Sequence, residues 1–172
     1  DAEGKTYRIV RGDLHRHTDY SGDGALDSSL HETYRYALDA ASLDFLAITD
    51  HYPGKYVWWE TQKSVERFHI PGTFVPLLGY ERNLGFPNGH RNVVFARRGA
   101  PILEAGPEER SGIVDTGAVL YDYLRKYRGL SMPHTSGTPT MGTDWRDHAE
   151  DVEPLVEIFQ GDRTSYEYPG AP

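Results

Sequence analysis

Short apolar runs alternate with helical stripes along this chain, and nearly every run starts or stops at a histidine or a carboxylate. That alternation constrains the fold more than any other feature, because buried strands separated by amphipathic helices define an α/β layer architecture rather than a bundle or a sandwich. Tyr7-Arg8-Ile9-Val10 supplies a first strand ahead of Arg11-Gly12-Asp13-Leu14-His15-Arg16-His17-Thr18. Ser29 and Glu32 have capping-box spacing, and Leu30, Tyr34, Ala37, Leu38 and Ala41 follow on one stripe, which predicts a helix near 29–42. Leu43 to Thr49 reads as a buried strand stopping at Asp50-His51, before Pro53-Gly54 turns the chain. A short helix over about 60–69 is closed by Pro71-Gly72. Thr73 to Tyr80 then leads into Glu81, with Pro76 arguing against regular pairing.

The second half repeats the pattern. His90-Arg91-Asn92-Val93-Val94-Phe95-Ala96 is strand-like, and Gly99 to Gly112 reads as a loop. Val119, Leu120, Tyr123, Leu124 and Tyr127 mark a helix ending at Gly129, after which Leu130-Ser131-Met132-Pro133 delivers His134. A loop over Thr135 to Asp151 precedes a strand-like Leu155-Val156-Glu157-Ile158-Phe159. There is no internal repeat and no low-complexity tract.

A length of 172 residues fits one domain, and 38% hydrophobic residues suffice for a core. No apolar run is long enough to span a bilayer, so no membrane insertion is expected. The net charge of -8 disfavours nucleic acid and anionic membranes as general partners, although bound divalent cations would make one cleft locally positive. With no cysteine, any metal site must be built from His, Asp and Glu, and the redox compartment stays open. Asp1-Ala2-Glu3-Gly4 reads equally as the start of a processed exported protein, periplasmic or extracellular, or as an arbitrary boundary.

His15-Arg16-His17 presents two imidazoles at positions i and i+2, which share one face of an extended strand and can converge on one cation while Arg16 points away. Such a pair in isolation is more often surface decoration than a ligand set. Several strand ends carrying His, Asp or Glu change the balance, because parallel α/β folds gather those ends on one face. Donors so gathered suit a multinuclear centre, in which a carboxylate bridges two cations and imidazoles fix each of them.

Asp13-Leu14-His15-Arg16-His17-Thr18 with Ser21 and Asp23, followed by Ile48-Thr49-Asp50-His51, resembles the first two motifs of the PHP (polymerase and histidinol phosphatase) family. Gly79-Tyr80-Glu81, Gly89-His90-Arg91-Asn92 and Pro133-His134 are similar to its later carboxylate and histidine positions, in the family's order. The match spans residues 11–134. Gly72-Thr73-Phe74-Val75-Pro76, Gly142-Thr143-Asp144-Trp145 and Val156-Glu157-Ile158-Phe159-Gln160-Gly161 look like a branch of large PHP-like proteins, many of them exported, and imply no sharper substrate. The resemblance implies a distorted (β/α)7 TIM-like barrel and two or three divalent cations, zinc, manganese or iron. His15, His17 and Glu81 would hold the first; Glu81 would bridge to the second, completed by His90 and His134; Asp23 and His51 would hold the third. Asp50, next to His51 on a strand end, would serve catalysis by supporting a ligand imidazole. The implied reaction is hydrolysis of a phosphoester by metal-activated water, on a small anionic substrate that Arg91, Arg16 or Arg163 would contact.

Two departures qualify the match. In Ser21-Gly22-Asp23 the acidic residue stands one position later than usual, and Asp23-Gly24 is also an ordinary turn. A final Asp-x-His pair is missing after His134; Asp147-His148 lacks the intervening residue and reads as surface sequence. About six strand-like segments are too few to close seven strands, so the expectation is a single PHP-like domain over 1–172 that lacks its C-terminal strands and last motif. His31 and His69 are no candidates, and His90 follows an Asn88-Gly89 turn where a histidine needs no metal. Glu157, between Val156 and Ile158, must be paired, at a barrel mouth or facing solvent. Trp58-Trp59 and Tyr166-Glu167-Tyr168 are cleft candidates that more often pack. Among other metal folds, the metallo-β-lactamase signature fails at Tyr20 and a cupin lacks its glutamate. An amidohydrolase-like C–N or C–O hydrolase, and a non-catalytic metal- or ligand-binding module of a larger protein, stay open.

Overall fold

Tyr7–Val10 carries apolar residues but pairs with no strand among the described residues, and Ile9 is 92% exposed. The first strand, β1, is instead Gly12–Arg16. Gly12 is required there, because a Cβ would fall 2.4 Å from the Phe45 ring where the two strands meet. A computed structural model of the chain describes residues 4–24, 26–51, 53–110, 117–160 and 163–164. Next come α1 (Leu30–Asp39), β2 (Phe45–Ile48), α2 (Lys55–Phe68), β3 (Val75–Arg82) and β4 (Arg91–Phe95). They are followed by a single turn α3 (Pro107–Arg110), α4 (Gly117–Tyr127) and β5 (Gly129–Pro133), a 3-10 turn Trp145–Asp147, and the hairpin strands β6 (Phe159–Gln160) and β7 (Arg163–Thr164).

Local chemistry sets these boundaries. The capping box at Ser29 forms, with the Ser29 hydroxyl accepting from Glu32 N and the Glu32 carboxylate accepting from Ser29 N. That satisfies two otherwise orphaned donors at the start of α1. The second helix begins at Lys55, a turn earlier than its apolar stripe suggests, because Gly54 caps it directly after Pro53. Pro76 sits inside β3 without breaking it. The Val75 N–H donates towards β2, to Asp44 O, so position 76 faces the β4 side, where pairing starts only at Leu78.

β1 to β5 form one sheet in the order β1-β2-β3-β4-β5, and β6 pairs with β7 in a separate two-stranded sheet. β1, β2 and β3 are parallel neighbours joined through α1 and α2, whereas β4 runs antiparallel to both β3 and β5. The expected (β/α)7 barrel is therefore not what the described residues form. The repeating β-α unit stops after β3, because an antiparallel return needs only the turn around Gly89 and no crossover helix. Among the described residues the five-stranded sheet keeps two edges, and only α1, α2 and α4 reach ten residues. Of the strand-like Leu155–Phe159, only Phe159 enters a strand, β6: Ser131 N donates to Val152 O and Glu157 N to Pro133 O along the edge of β5, but Pro154 has no N–H to continue the ladder.

Two apolar clusters bury the helix-bearing face. Leu46, Ile48 and Phe74 pack with Leu30, Tyr34 and Ala37 of α1, and Leu78, Tyr80, Val93 and Phe95 pack with Trp58 of α2 and Leu120 and Leu124 of α4. The opposite face, with Leu14, Phe45, Leu77, Val94 and Met132, lines an open trough of about 520 Å3. No helix among the described residues is long and apolar enough to cross a membrane.

Candidate metal centre

The sheet directions decide where the ligand-type residues meet. β1, β2, β3 and β5 run the same way, so their C-terminal ends share one rim, and antiparallel β4 brings its start to that rim. His15 and His17 come from the end of β1, where the pairing register shifts between Asp13 and Arg16. His51 follows β2 and bridges to Glu81 on β3, while His90 precedes β4 and His134 follows β5. Backbone bonds tie these ends together: His51 N donates to Ser21 Oγ at 2.7 Å, His90 N to Thr135 Oγ1 at 2.9 Å, and His134 N to His90 O at 3.3 Å.

Glu81 is the hub, with a side chain only 1% exposed. Its Oε2 lies 2.9 Å from His17 Nε2 and 3.4 Å from His15 Nε2. Its Oε1 lies 3.0 Å from His90 Nδ1, 3.1 Å from His134 Nε2 and 3.5 Å from His51 Nδ1. Five imidazoles thus surround one carboxylate. Two more carboxylates face the far side of these rings. Asp23 meets His17 Nδ1 at 3.0 Å and His51 Nε2 at 2.8 Å, and Glu157 meets His15 Nδ1 at 2.8 Å.

Charge in this arrangement follows from burial opposed by pairing. Burial pushes the Glu81 carboxyl up, but the contacts with His134, His15, His17 and His90 hold it far below the usual carboxylate range. Burial lowers His15, yet its bonds to Glu157 and Glu81 outweigh this and raise it to about 9. His17 is raised in the same way by Glu81 and Asp23. Burial dominates at His134, which is lowered.

The donors fit a divalent cation. His15, Glu81 and His134 form one group and His17, His51 and Glu81 another, each with donor atoms within 4.8 Å of one another. Ligands held at 2.0–2.1 Å in a tetrahedral shell lie about 3.4 Å apart, close to the 2.9–3.5 Å that separate the Glu81 oxygens from the surrounding ring nitrogens. The rings of His15 and His17 each have a carboxylate oxygen at both nitrogens. A neutral imidazole carries one N–H, so each ring must be doubly protonated or must give one lone pair to a cation.

All seven expected ligand residues, His15, His17, Asp23, His51, Glu81, His90 and His134, meet at this rim, but their grouping differs from the expected one. His15 partners His134 and His17 partners His51, with Glu81 common to both; His90 and Asp23 stand beside the two groups. Asp50 supports no imidazole. Both its oxygens accept from Thr18, from N at 2.6 Å and Oγ1 at 2.8 Å, which pins the backbone directly after the histidine pair. Arg91 does not reach the site: it is buried and its Nε donates to Glu153 at 2.7 Å. Arg16 does not simply point away from the histidines. The irregular register of β1 brings it to a cavity of about 580 Å3 shared with His15, His17 and Asp23, where it pairs with Asp27 at 3.3 Å. Trp58 packs in the core with Nε1 donating to Ala100 O, and Trp59 is exposed. The Arg163 side chain, Asp147's side chain and Tyr166-Glu167-Tyr168 lie outside the described residues.

Asn83 was not among the expected site residues, and Glu157 was expected only as a carboxylate with its setting open. Asn83 orients His51 through Oδ1 at 2.9 Å and touches Glu81 and His90 through Nδ2. Its signal was present, since Asn83 stands two residues after Glu81, just past the end of β3, where the period-two alternation of an extended chain points to the same side. Glu157 stands between Val156 and Ile158, where a carboxylate must be paired, at a barrel mouth or facing solvent; its partner His15, 142 positions away, carried no local signal.

No family model matches the chain, and no curated protein matches it. Among solved structures it is similar to a two-domain protein from Bacteroides vulgatus containing a predicted PHP-like metal-dependent phosphoesterase. The identity is 16% and the TM-score 0.46, over 94% of this chain and 40% of that one, so this chain spans about two fifths of that protein's length.

Proposed function

We propose that this chain is the metal-binding part of a hydrolase that holds two divalent cations, one at His15–Glu81–His134 and one at His17–His51–Glu81, and acts on phosphoesters. The observation that carries the reading is a single buried carboxylate shared by two His/Glu ligand groups, the arrangement a bridged pair of cations requires. When bound, the cations would supply Lewis acidity and lower the pKa of water. The chain's own residues do the rest: Asp50 and Thr18 fix the path of the histidine pair, Asn83 orients His51, and Asp23 holds the outer nitrogens of His17 and His51. Arg16, at the rim of the 580 Å3 cavity, is the cation positioned to meet an anionic substrate. The phosphoester class comes from the motif resemblance, not from the geometry.

The test is to load the chain with Zn2+, Mn2+ or Fe2+, count metal per chain, and assay phosphomonoesters, phosphodiesters and amides with and without chelator. Two bound metals and chelator-sensitive phosphoester turnover, lost in His15→Ala and Glu81→Ala but kept in His31→Ala, is the expected result. Fewer than two metals, or equal activity in all three variants, refutes it. Amide turnover alone would favour the C–N hydrolase reading, and metal binding without turnover the binding-module reading.

A further inference from the structure

We propose that Glu157 is a positioning residue for His15, and that the segment carrying it is clamped to the sheet by the buried Arg91–Glu153 pair. The inference rests on the cation reading above. For His15 Nε2 to give its lone pair to a cation, Nδ1 must carry the hydrogen, and the ring must keep one orientation. Glu157 Oε2, 2.8 Å from Nδ1, is placed to accept that hydrogen and set both. Its side chain is largely shielded, whereas Asp23, which does the corresponding job for His17 and His51, is 55% exposed. A shielded acceptor is less screened and holds a ring more firmly.

Glu157 belongs to no helix or strand, so something else must aim it. Residues 152–157 lie against β5 through Ser131 N to Val152 O and Glu157 N to Pro133 O. Between these two bonds, Pro154 removes a donor. The gap is filled from the side by Glu153, whose carboxylate accepts from Arg91 Nε at 2.7 Å, Ser131 Oγ at 2.6 Å and Tyr121 OH at 3.2 Å. Those partners come from β4, β5 and α4. The clamp therefore joins three elements to the segment four residues before Glu157 and holds it along β5, from where the Glu157 side chain reaches His15 of β1.

Zn2+ serves as a closed-shell probe. Its affinity for the full chain is measured by competition with a chromophoric chelator, and the His15 imidazole is followed by 15N–1H correlation in the Zn2+-loaded protein. Glu157→Ala is expected to lose 10- to 100-fold in affinity and the slowly exchanging Nδ1–H signal of His15. Glu157→Gln, which keeps an acceptor oxygen and the packing, is expected to lose less and to retain a shifted signal. Where the alanine variant fails to fold, the glutamine variant decides by the same two readouts. Affinity and Nδ1–H signal equal to the unaltered protein would overturn the inference while leaving the cation reading intact. An unaltered protein that binds no Zn2+ would overturn both.

Discussion

Replacing Arg91 by methionine separates a structural arginine from a substrate-binding one. The guanidinium and the Glu153 carboxylate are 5% and 0% exposed and 2.7 Å apart. Burial alone would lower the arginine's pKa, but Glu153 raises it above its ordinary value, so the guanidinium stays charged in the folded protein. Methionine keeps the apolar stem and leaves the carboxylate without its counter-charge. Breaking a buried pair from one side costs roughly 3–5 kcal/mol. The lower end, about 3 kcal/mol, is expected here, because Ser131 Oγ and Tyr121 OH still donate to Glu153. For a chain of this length that is a fall in Tm of roughly 6–12 °C. Urea unfolding measures it as a lower midpoint at unchanged m-value. The double variant R91M/E153L, which removes both charges, should recover most of the loss. A single variant within about 1 kcal/mol of the unaltered protein, or a double variant no more stable than the single one, would refute the reasoning.

Saturating Zn2+ at about 100 times Kd should stabilise the chain by about 2.7 kcal/mol for each site; Glu81→Gln, which takes a ligand from both groups, should abolish most of the Tm rise seen by scanning calorimetry. Cation uptake should release protons. His15 is raised from its ordinary value to about 9, so in the cation-free protein its protonated form contributes stability that is fully present below about pH 6.5 and fades as pH rises through 9. A cation must displace that proton, so affinity should climb about tenfold per pH unit for each proton displaced, up to about pH 9, and then level off; a pH-independent affinity between 6.5 and 9 would contradict this. Ser29→Ala removes the hydroxyl of the capping box and should cost about 1 kcal/mol in urea unfolding without changing metal affinity.

Which parts of the fold were legible follows from the range of the forces involved. α1 could be read because its cap and stripe are local, and β2 because a buried strand between two turns leaves few alternatives. The start of the sheet could not. Ile9 and Val10 have a better strand composition than Gly12-Asp13, yet Gly12 is the residue that lets β1 lie against Phe45. The direction of β4 was equally hidden, since an antiparallel and a parallel strand have the same composition here; the short connection through Asn88-Gly89 was the available sign that no crossover helix intervenes. Arg91 was expected to contact a substrate anion, but alternation along β4 turns it to the face opposite Asn92, towards Glu153.

The orientation of β4 also explains why the histidines and carboxylates singled out in the sequence meet at one rim although parallel strand ends alone would not gather them all. Parallel strand ends account for His15, His17, His51, Glu81 and His134, but His90 lies before its strand and would fall at the opposite rim of an all-parallel sheet. Only a reversed β4 returns it to Glu81. The same reversal places Arg91 beside β5 and the segment that follows, where it clamps the carrier of Glu157. One change of strand direction thus supplies a ring on the cation side of Glu81 and the anchor that aims a carboxylate at the far side of His15. The short turn at Gly89 should therefore matter to the site beyond its own residues. With φ at +68° and a Cβ position only 2.4 Å from Thr143 Oγ1, Gly89→Ala is strained in both backbone and packing. It should weaken Zn2+ binding even though Gly89 contacts no ligand atom, and unchanged affinity in a folded Gly89→Ala protein would show that the turn does not set the position of His90.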